Sequence, residues 1–95
     1  MLTLYTHNTP NGHKIAIALE ELGLPYEVVR VNVHTGAQFA PDFMQLNPNA
    51  KVPVLRDDET GIVTAESNAI LLYLAEKTGR LERIAAIPIR DSHEV

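Results

Sequence analysis

Asn47-Pro48-Asn49-Ala50-Lys51-Val52-Pro53-Val54-Leu55, followed by Thr64-Ala65-Glu66-Ser67-Asn68-Ala69-Ile70, is the stretch on which the reading of this 95-residue chain turns. A Val-Pro step leads into an apolar strand, and an acid-plus-hydroxyl pair stands where a helix should begin. An X-Pro bond is the one place where a cis peptide is cheap, its trans preference being only about 0.5–1 kcal/mol. A cis Pro53 would kink the chain and leave the N–H and C=O of Val52 free to pair with an extended ligand, as strand-like peptide recognition requires. The plainer alternative is that Pro53 begins an edge strand. Ser67 is expected to cap the following helix, whose free N–H groups and dipole favour an anion. A ligand carboxylate could rest on Ser67 and a ligand ammonium on Glu66, so the pair suits an α-amino-acid head group. The plainer alternative is an ordinary cap worth roughly 1 kcal/mol.

Outward from that stretch, the chain reads as alternating strands and helices. Leu2 to His7 alternates and contains Tyr and Thr, which predicts a strand. Thr9 is expected to cap a helix with Pro10 at its first position. Ile15, Ala18, Leu19 and Leu22 fall on one face of that helix, with Lys14, Glu20 and Glu21 elsewhere. Gly23 ends it and Pro25 prevents its continuation. Tyr26 to Val31 is β-branched and predicts a second strand. Residues 32 to 50 are irregular, with a short helix expected around Pro41 to Leu46. Val52 to Arg56 and Ile62 to Thr64 predict a hairpin turning at Asp57-Asp58-Glu59-Thr60-Gly61. A last helix runs through Lys77 and stops at Gly79. The order βαβ, connecting segment, ββα implies a parallel pair with a right-handed crossover. The hairpin adds antiparallel strands, giving an α/β fold of thioredoxin-like type: a mixed four-stranded sheet with helices on its faces.

Composition narrows the function classes. The chain is 45% hydrophobic and 21% charged, with a formal net charge of −4. None of its eight Lys and Arg residues are clustered, which argues against nucleic acid. The first residues lack the pattern of a signal peptide, and Ala69 to Ala75 is too short an apolar run to cross a membrane. A soluble cytoplasmic protein is expected. With no cysteine in the chain, disulfides and Cys-based metal sites are excluded, and any thiol chemistry must use sulfur from a ligand. His7, His13, His34 and His93 show no metal-ligand spacing and read as surface or loop residues. Tyr5 and Tyr73 read as core or partly buried.

The turn Thr9-Pro10-Asn11-Gly12 falls where thioredoxin-like proteins carry a redox Cys-x-x-Cys. Here it offers a hydroxyl and an amide at a helix N-terminus, and both favour a ligand thiolate. A capped turn without chemistry is the simpler reading. Lys51 and Gln38 lie in loops from which each could reach a ligand carboxylate.

Thr9-Pro10-Asn11-Gly12-His13-Lys14, Asn47-Pro48-Asn49 through Val52-Pro53, and Glu66-Ser67 followed by Ala69-Ile70-Leu71-Leu72-Tyr73-Leu74 occur together in the order and spacing of one family. From about Leu2 to Leu81 the chain resembles the N-terminal, glutathione-binding domain of the glutathione S-transferases. The likeness is greatest to the bacterial members related to the yeast Ure2 proteins, often called Nu class. That resemblance implies glutathione as co-substrate, with Thr9 and Asn11 contacting its sulfur and Val52 pairing with its backbone beside a cis Pro53. Glu66 and Ser67 would hold the γ-glutamyl group, and Gln38 would also touch the tripeptide. It implies disulfide reduction more than conjugation to electrophiles.

Family members continue into an all-helical domain, whose start residues 82–95 do not resemble. The expected organisation is a thioredoxin-like domain over 1–81 and a divergent tail over 82–95. A natural single-domain form, a truncated or frame-shifted product and an engineered piece all fit. Without that domain, apolar surface on the first and last helices is expected to lie open and to drive dimerisation or other self-association. Ile84, Ile87 and Ile89 of the tail would cover part of it. A non-catalytic binding module and a pseudo-domain from a damaged gene stand as alternatives to an enzyme.

Overall fold

The computed structural model describes residues 1–85. In chain order these form β1 (Leu2–Thr6), α1 (Pro10–Glu21), β2 (Tyr26–Arg30), two 3₁₀ turns (Val33–Thr35 and Ala37–Phe39) and α2 (Pro41–Leu46). There follow β3 (Val54–Asp57), β4 (Ile62–Ala65), α3 (Ser67–Thr78) and α4 (Leu81–Ala85). The sheet order is β2-β1-β3-β4. β1 and β2 are parallel, with Leu2 opposite Tyr26 and Thr6 opposite Arg30. β3 runs antiparallel to both β1 and β4, placing Tyr5 beside Val54 and Val54 beside Ala65. This is the mixed, thioredoxin-like sheet expected from the element order.

Period-2 alternation along the strands gives the sheet two apolar faces. Leu2, Leu4 and Leu55 pack on one face against Ile15, Ala18 and Leu19 of α1 and Ile70, Leu71 and Leu74 of α3. On the other face Val54 meets Val31 and Phe43, with Tyr5 and Leu46 at the margin. α1 starts as its sequence dictates. Thr9 is extended at φ −130°, its side chain accepts the N–H of Gly12, and Pro10 follows in the first turn. α3 ends at Gly79 with φ 66°, a left-handed stop that glycine adopts without steric penalty.

Two differences from the sequence reading have plain causes. β3 begins at Val54 rather than Val52, because Pro53 has no N–H to give the ladder. Lys14, read as lying off the apolar face, is buried at 7% exposure; its aliphatic stem can line a core margin. As expected of the tail, Ile84 covers the first and last long helices: it belongs to α4, a short helix packed on α1 and α3, and its side chain is buried in the main core. Arg83 fastens that helix by donating to the carbonyl of Glu21 at 3.3 Å. Ile87 and Ile89 lie outside the described residues. Ile17 on α1 and Leu72 on α3 are exposed, at 46% and 68%.

The hairpin end of β3 is tied to α3 by a buried carboxylate. Asp57, 1% exposed, accepts hydrogen bonds from Tyr73 Oη at 2.6 Å, from the N–H of Glu59 at 3.0 Å, and from Lys77 Nζ at 2.9 Å. Burial alone would raise its pKa, but the bonds from Tyr73, Lys77 and Glu59 outweigh that and hold it down at about 2. Lys77 is raised by its bonds to Asp57 and Glu59. Tyr73 is raised by burial and by its bond to Asp57.

Candidate functional site

The register brings the predicted residues to one end of the sheet. Tyr5, Val54 and Ala65 stand side by side, so the turn after β1, the residues before β3 and those after β4 all emerge there. The C-terminal end of β2 leads to the same region, since the N–H of Val31 bonds to the carbonyl of Thr6 at 2.8 Å. From those four chain segments come Thr9 and Asn11, Lys51 with Val52 and Pro53, Glu66 with Ser67, and Gln38 in the second 3₁₀ turn. Ligands of open α/β sheets gather outside the carboxyl ends of parallel strands in the same way.

The Val52–Pro53 bond is cis. Among the described residues, neither the N–H nor the C=O of half-buried Val52 has a hydrogen-bond partner. The loop before it is held by Asn47, buried at 5% exposure. Its side chain donates to the carbonyl of Lys51 at 2.9 Å and accepts the N–H of Asn49 at 3.1 Å. The main chain of Val52 is therefore presented by a fixed loop as an unpaired strand segment.

Ser67 is not the N-cap of α3, as the sequence suggested; it is the first helical residue, and Glu66 takes the cap position. The carbonyl of Glu66 accepts the N–H of Ile70 at 3.0 Å, the first bond of the helix. No side chain caps that end, and Glu66 sits at φ 73°, ψ 134°. A non-glycine residue at positive φ is strained by about 1–3 kcal/mol, and such residues concentrate at functional sites. The Glu66 side chain is exposed, and half-buried Ser67 stands beside the open helix terminus.

Thr9 and Asn11 are half-buried in the turn, Lys51 is exposed, and Gln38 is half-buried. Among the described residues, the Oε1 of Gln38 is buried without a partner, and so is the Nδ1 of His7. Sequence reasoning read His7 and His34 as surface or loop residues, and their rings, in turns, also meet edge to face with centroids 5.1 Å apart. Their separation in sequence gave no signal of that contact. Asn47 was quoted only as part of a motif. Its buried, doubly bonded side chain could have been suspected from the Asx turns that Asn-Pro-Asn favours.

A groove of about 370 Å³ lies elsewhere, on the α2 face, with Tyr5, Val29, Phe43, Leu46 and Arg56 in its lining, and none of the candidate residues faces it. An extended ligand pairing with exposed main chain needs no closed cavity, so geometry rather than volume locates the site. No helix among the described residues is long and apolar enough to cross a membrane.

A thioredoxin-like domain without cysteine, whose open end gathers an unpaired strand segment, a strained acid and a hydroxyl-bearing turn, is built to hold a ligand rather than to cycle its own disulfide. Comparison with known proteins gives that class a family. Residues 1–76 match the family described as glutathione S-transferase, N-terminal domain, and the chain belongs to it. It is 46% identical over 84 residues to the disulfide-bond oxidoreductase YfcG of Escherichia coli, covering 83% of this chain and 39% of that protein. Among solved structures, a glutathione transferase family member from Pseudomonas fluorescens with two glutathione bound superposes with a TM-score of 0.78. Its identity is 45%, over 84% of this chain and 37% of that one. The glutathione transferase URE2P6 from Phanerochaete chrysosporium, in complex with oxidised glutathione, gives 0.79 at 43% identity, covering 83% and 37%. The chain thus spans about two-fifths of the length of these relatives.

Proposed function

We propose that this chain is a glutathione-binding domain that uses the thiolate of bound glutathione for disulfide reduction or conjugation. The observation that carries the reading is the unpaired N–H and C=O of Val52 at the ligand end of the sheet, which can take the cysteinyl main chain of the tripeptide. The Ser67 hydroxyl and the free N–H groups of α3 receive the γ-glutamyl carboxylate, and the exposed Glu66 carboxylate receives its ammonium. Gln38 and Lys51 reach the rest of the peptide. Thr9 and Asn11 then hold the sulfur at the start of α1, where hydrogen bonds and the helix dipole favour the thiolate. That thiolate attacks one sulfur of a disulfide, forming a mixed disulfide as the other sulfur leaves as thiolate, or it adds to an electrophilic carbon. Catalysis is positioning and charge stabilisation, with no side chain as general base.

The test is calorimetric titration of the chain with glutathione and with glutathione disulfide, repeated on Ser67→Ala. Binding weakened about tenfold by the substitution, the worth of one hydrogen bond to a charged group, supports the assignment. Absence of binding in the unaltered chain removes it. The exposure of Ile17 and Leu72 favours a second reading, in which the domain binds glutathione without turnover and associates with itself or another protein through the α1–α3 face. Ligand binding with no disulfide reductase activity would select that reading. A cytoplasmic setting and a thioredoxin-like domain over residues 1–81, with α4 packed on it, complete the proposal.

A further inference from the structure

Gly12 is buried in the first turn of α1. Its backbone is not at positive φ, unlike Gly23, Gly36, Gly61 and Gly79, so no turn conformation requires glycine there. Glycine is also a poor helix residue. Space supplies the reason: a Cβ at this position would overlap Thr6 Oγ1 and stand 3.0 Å from the carbonyl oxygen of His7 and 3.2 Å from Thr9 Oγ1. Those three atoms form one bonded group. Thr6 Oγ1 donates to the His7 carbonyl at 3.0 Å, and the N–H of Thr9 donates to the same carbonyl at 2.8 Å. Thr9 Oγ1 in turn accepts the N–H of Gly12 at 3.1 Å.

A hydroxyl has one hydrogen to give and lone pairs to receive with. Because the N–H of Gly12 occupies one lone pair of Thr9 Oγ1, the hydroxyl hydrogen points elsewhere, and the accepted bond polarises it as a donor. We propose that Gly12 is a positioning residue: its N–H turns the Thr9 hydroxyl outward as a donor to ligand sulfur, and its missing side chain leaves room for the Thr6–His7–Thr9 bonds that hold the turn. This deepens the function proposed above and rests on it.

The experiment follows the ultraviolet absorbance of glutathione thiolate bound to the full chain as pH is varied, in the unaltered protein, Thr9→Ala, Gly12→Ala and Gly12→Ala/Thr6→Ala. Folding is checked by circular dichroism. Gly12→Ala keeps the N–H, but its methyl displaces Thr6 and Thr9 from it, and the midpoint is expected to rise by about one pH unit, the effect of one lost hydrogen bond to a charged group. Thr6→Ala in the double variant makes room for the new methyl and should restore at least half of that rise. If Gly12→Ala does not fold, the double variant decides: a midpoint near that of the unaltered protein supports the spacing argument, and a folded double variant with a midpoint raised as far as that of Thr9→Ala overturns it. A midpoint unmoved in Gly12→Ala but raised in Thr9→Ala overturns this proposal alone. A midpoint unmoved in Thr9→Ala, or no glutathione bound by the unaltered chain, removes both this proposal and the sulfur contact it serves.

Discussion

Where β3 turns into β4, Asp57 receives bonds from Tyr73, Lys77 and the N–H of Glu59, Lys77 reaches on to Glu59, and Thr60 pairs with Tyr73. At the other end of the same strands, Val52 leaves its N–H and C=O unpaired and Glu66 holds a strained backbone. His7 and Gln38 there each bury a polar atom that has no partner among the described residues. Buried polar groups in folded proteins are nearly always satisfied, so the difference is informative. The hairpin end is bonded for stability. The opposite end keeps hydrogen-bonding capacity in reserve, as expected if a ligand completes it.

The largest way to break this contrast is Asp57→Ala. It leaves Tyr73 Oη and Lys77 Nζ without their shared acceptor, and removal of one partner from a buried ionic group commonly costs about 3 kcal/mol. Urea denaturation should show a loss near that size, while the folded fraction keeps its glutathione affinity. Affinity falling in step with stability would mean that the two ends are coupled through β3 and β4 and are not separate regions.

Acid should expose the same group. Because Asp57 titrates at about 2 in the folded chain against 3.8 as its ordinary value, the folded state binds fewer protons than the unfolded one between those values. Its contribution is complete above the unfolded pKa and disappears as pH falls through the folded one. The expected loss is about 2 kcal/mol between pH 4 and pH 2. Asp57→Asn should flatten that part of the profile, and a variant retaining the full slope would assign it to other carboxylates.

Much of this arrangement was legible in the chain. Strand alternation, the Thr9-Pro10 cap and the glycine stops at Gly23 and Gly79 act locally, and local chemistry is written in adjacent residues. The candidate site was legible because its parts are short motifs carried by segments that the sheet register brings together. Two things escaped. The shift of the cap from Ser67 to Glu66 depends on a positive φ that nothing in Ala65-Glu66-Ser67 announces; a glutamate is an unexpected residue there. The Asp57–Tyr73–Lys77 group joins residues 16 and 20 positions apart across two elements, and only the docked helix creates it. Asp57 therefore read as a turn residue and Tyr73 as a core or partly buried one, with no bond between them.

At the ligand end, Thr9→Ala should act on stability and chemistry together. Loss of the cap removes about 1 kcal/mol. Disulfide reductase turnover, if present, should fall about tenfold, with glutathione affinity much less affected, because the hydroxyl acts on the thiolate rather than on the peptide. Equal losses in turnover and affinity would reduce Thr9 to a binding contact.

The smallest effect is the sharpest, because its two readouts should move in opposite directions. At φ 73°, ψ 134° Glu66 occupies a region that glycine enters freely and other residues do not. Glu66→Gly relieves that strain and is itself acceptable at a helix cap, though glycine adds entropy to the unfolded chain. The net result should be a gain of about 0.5 kcal/mol in urea denaturation. The same substitution removes the carboxylate proposed to receive the ligand ammonium, so glutathione should bind less tightly in a more stable protein. A loss of stability would show that contacts of the Glu66 side chain, and not the surrounding fold, impose the conformation. Unchanged affinity would leave the strained backbone in place without the purpose given to it, and the contrast between the two ends would then rest on Val52, His7 and Gln38.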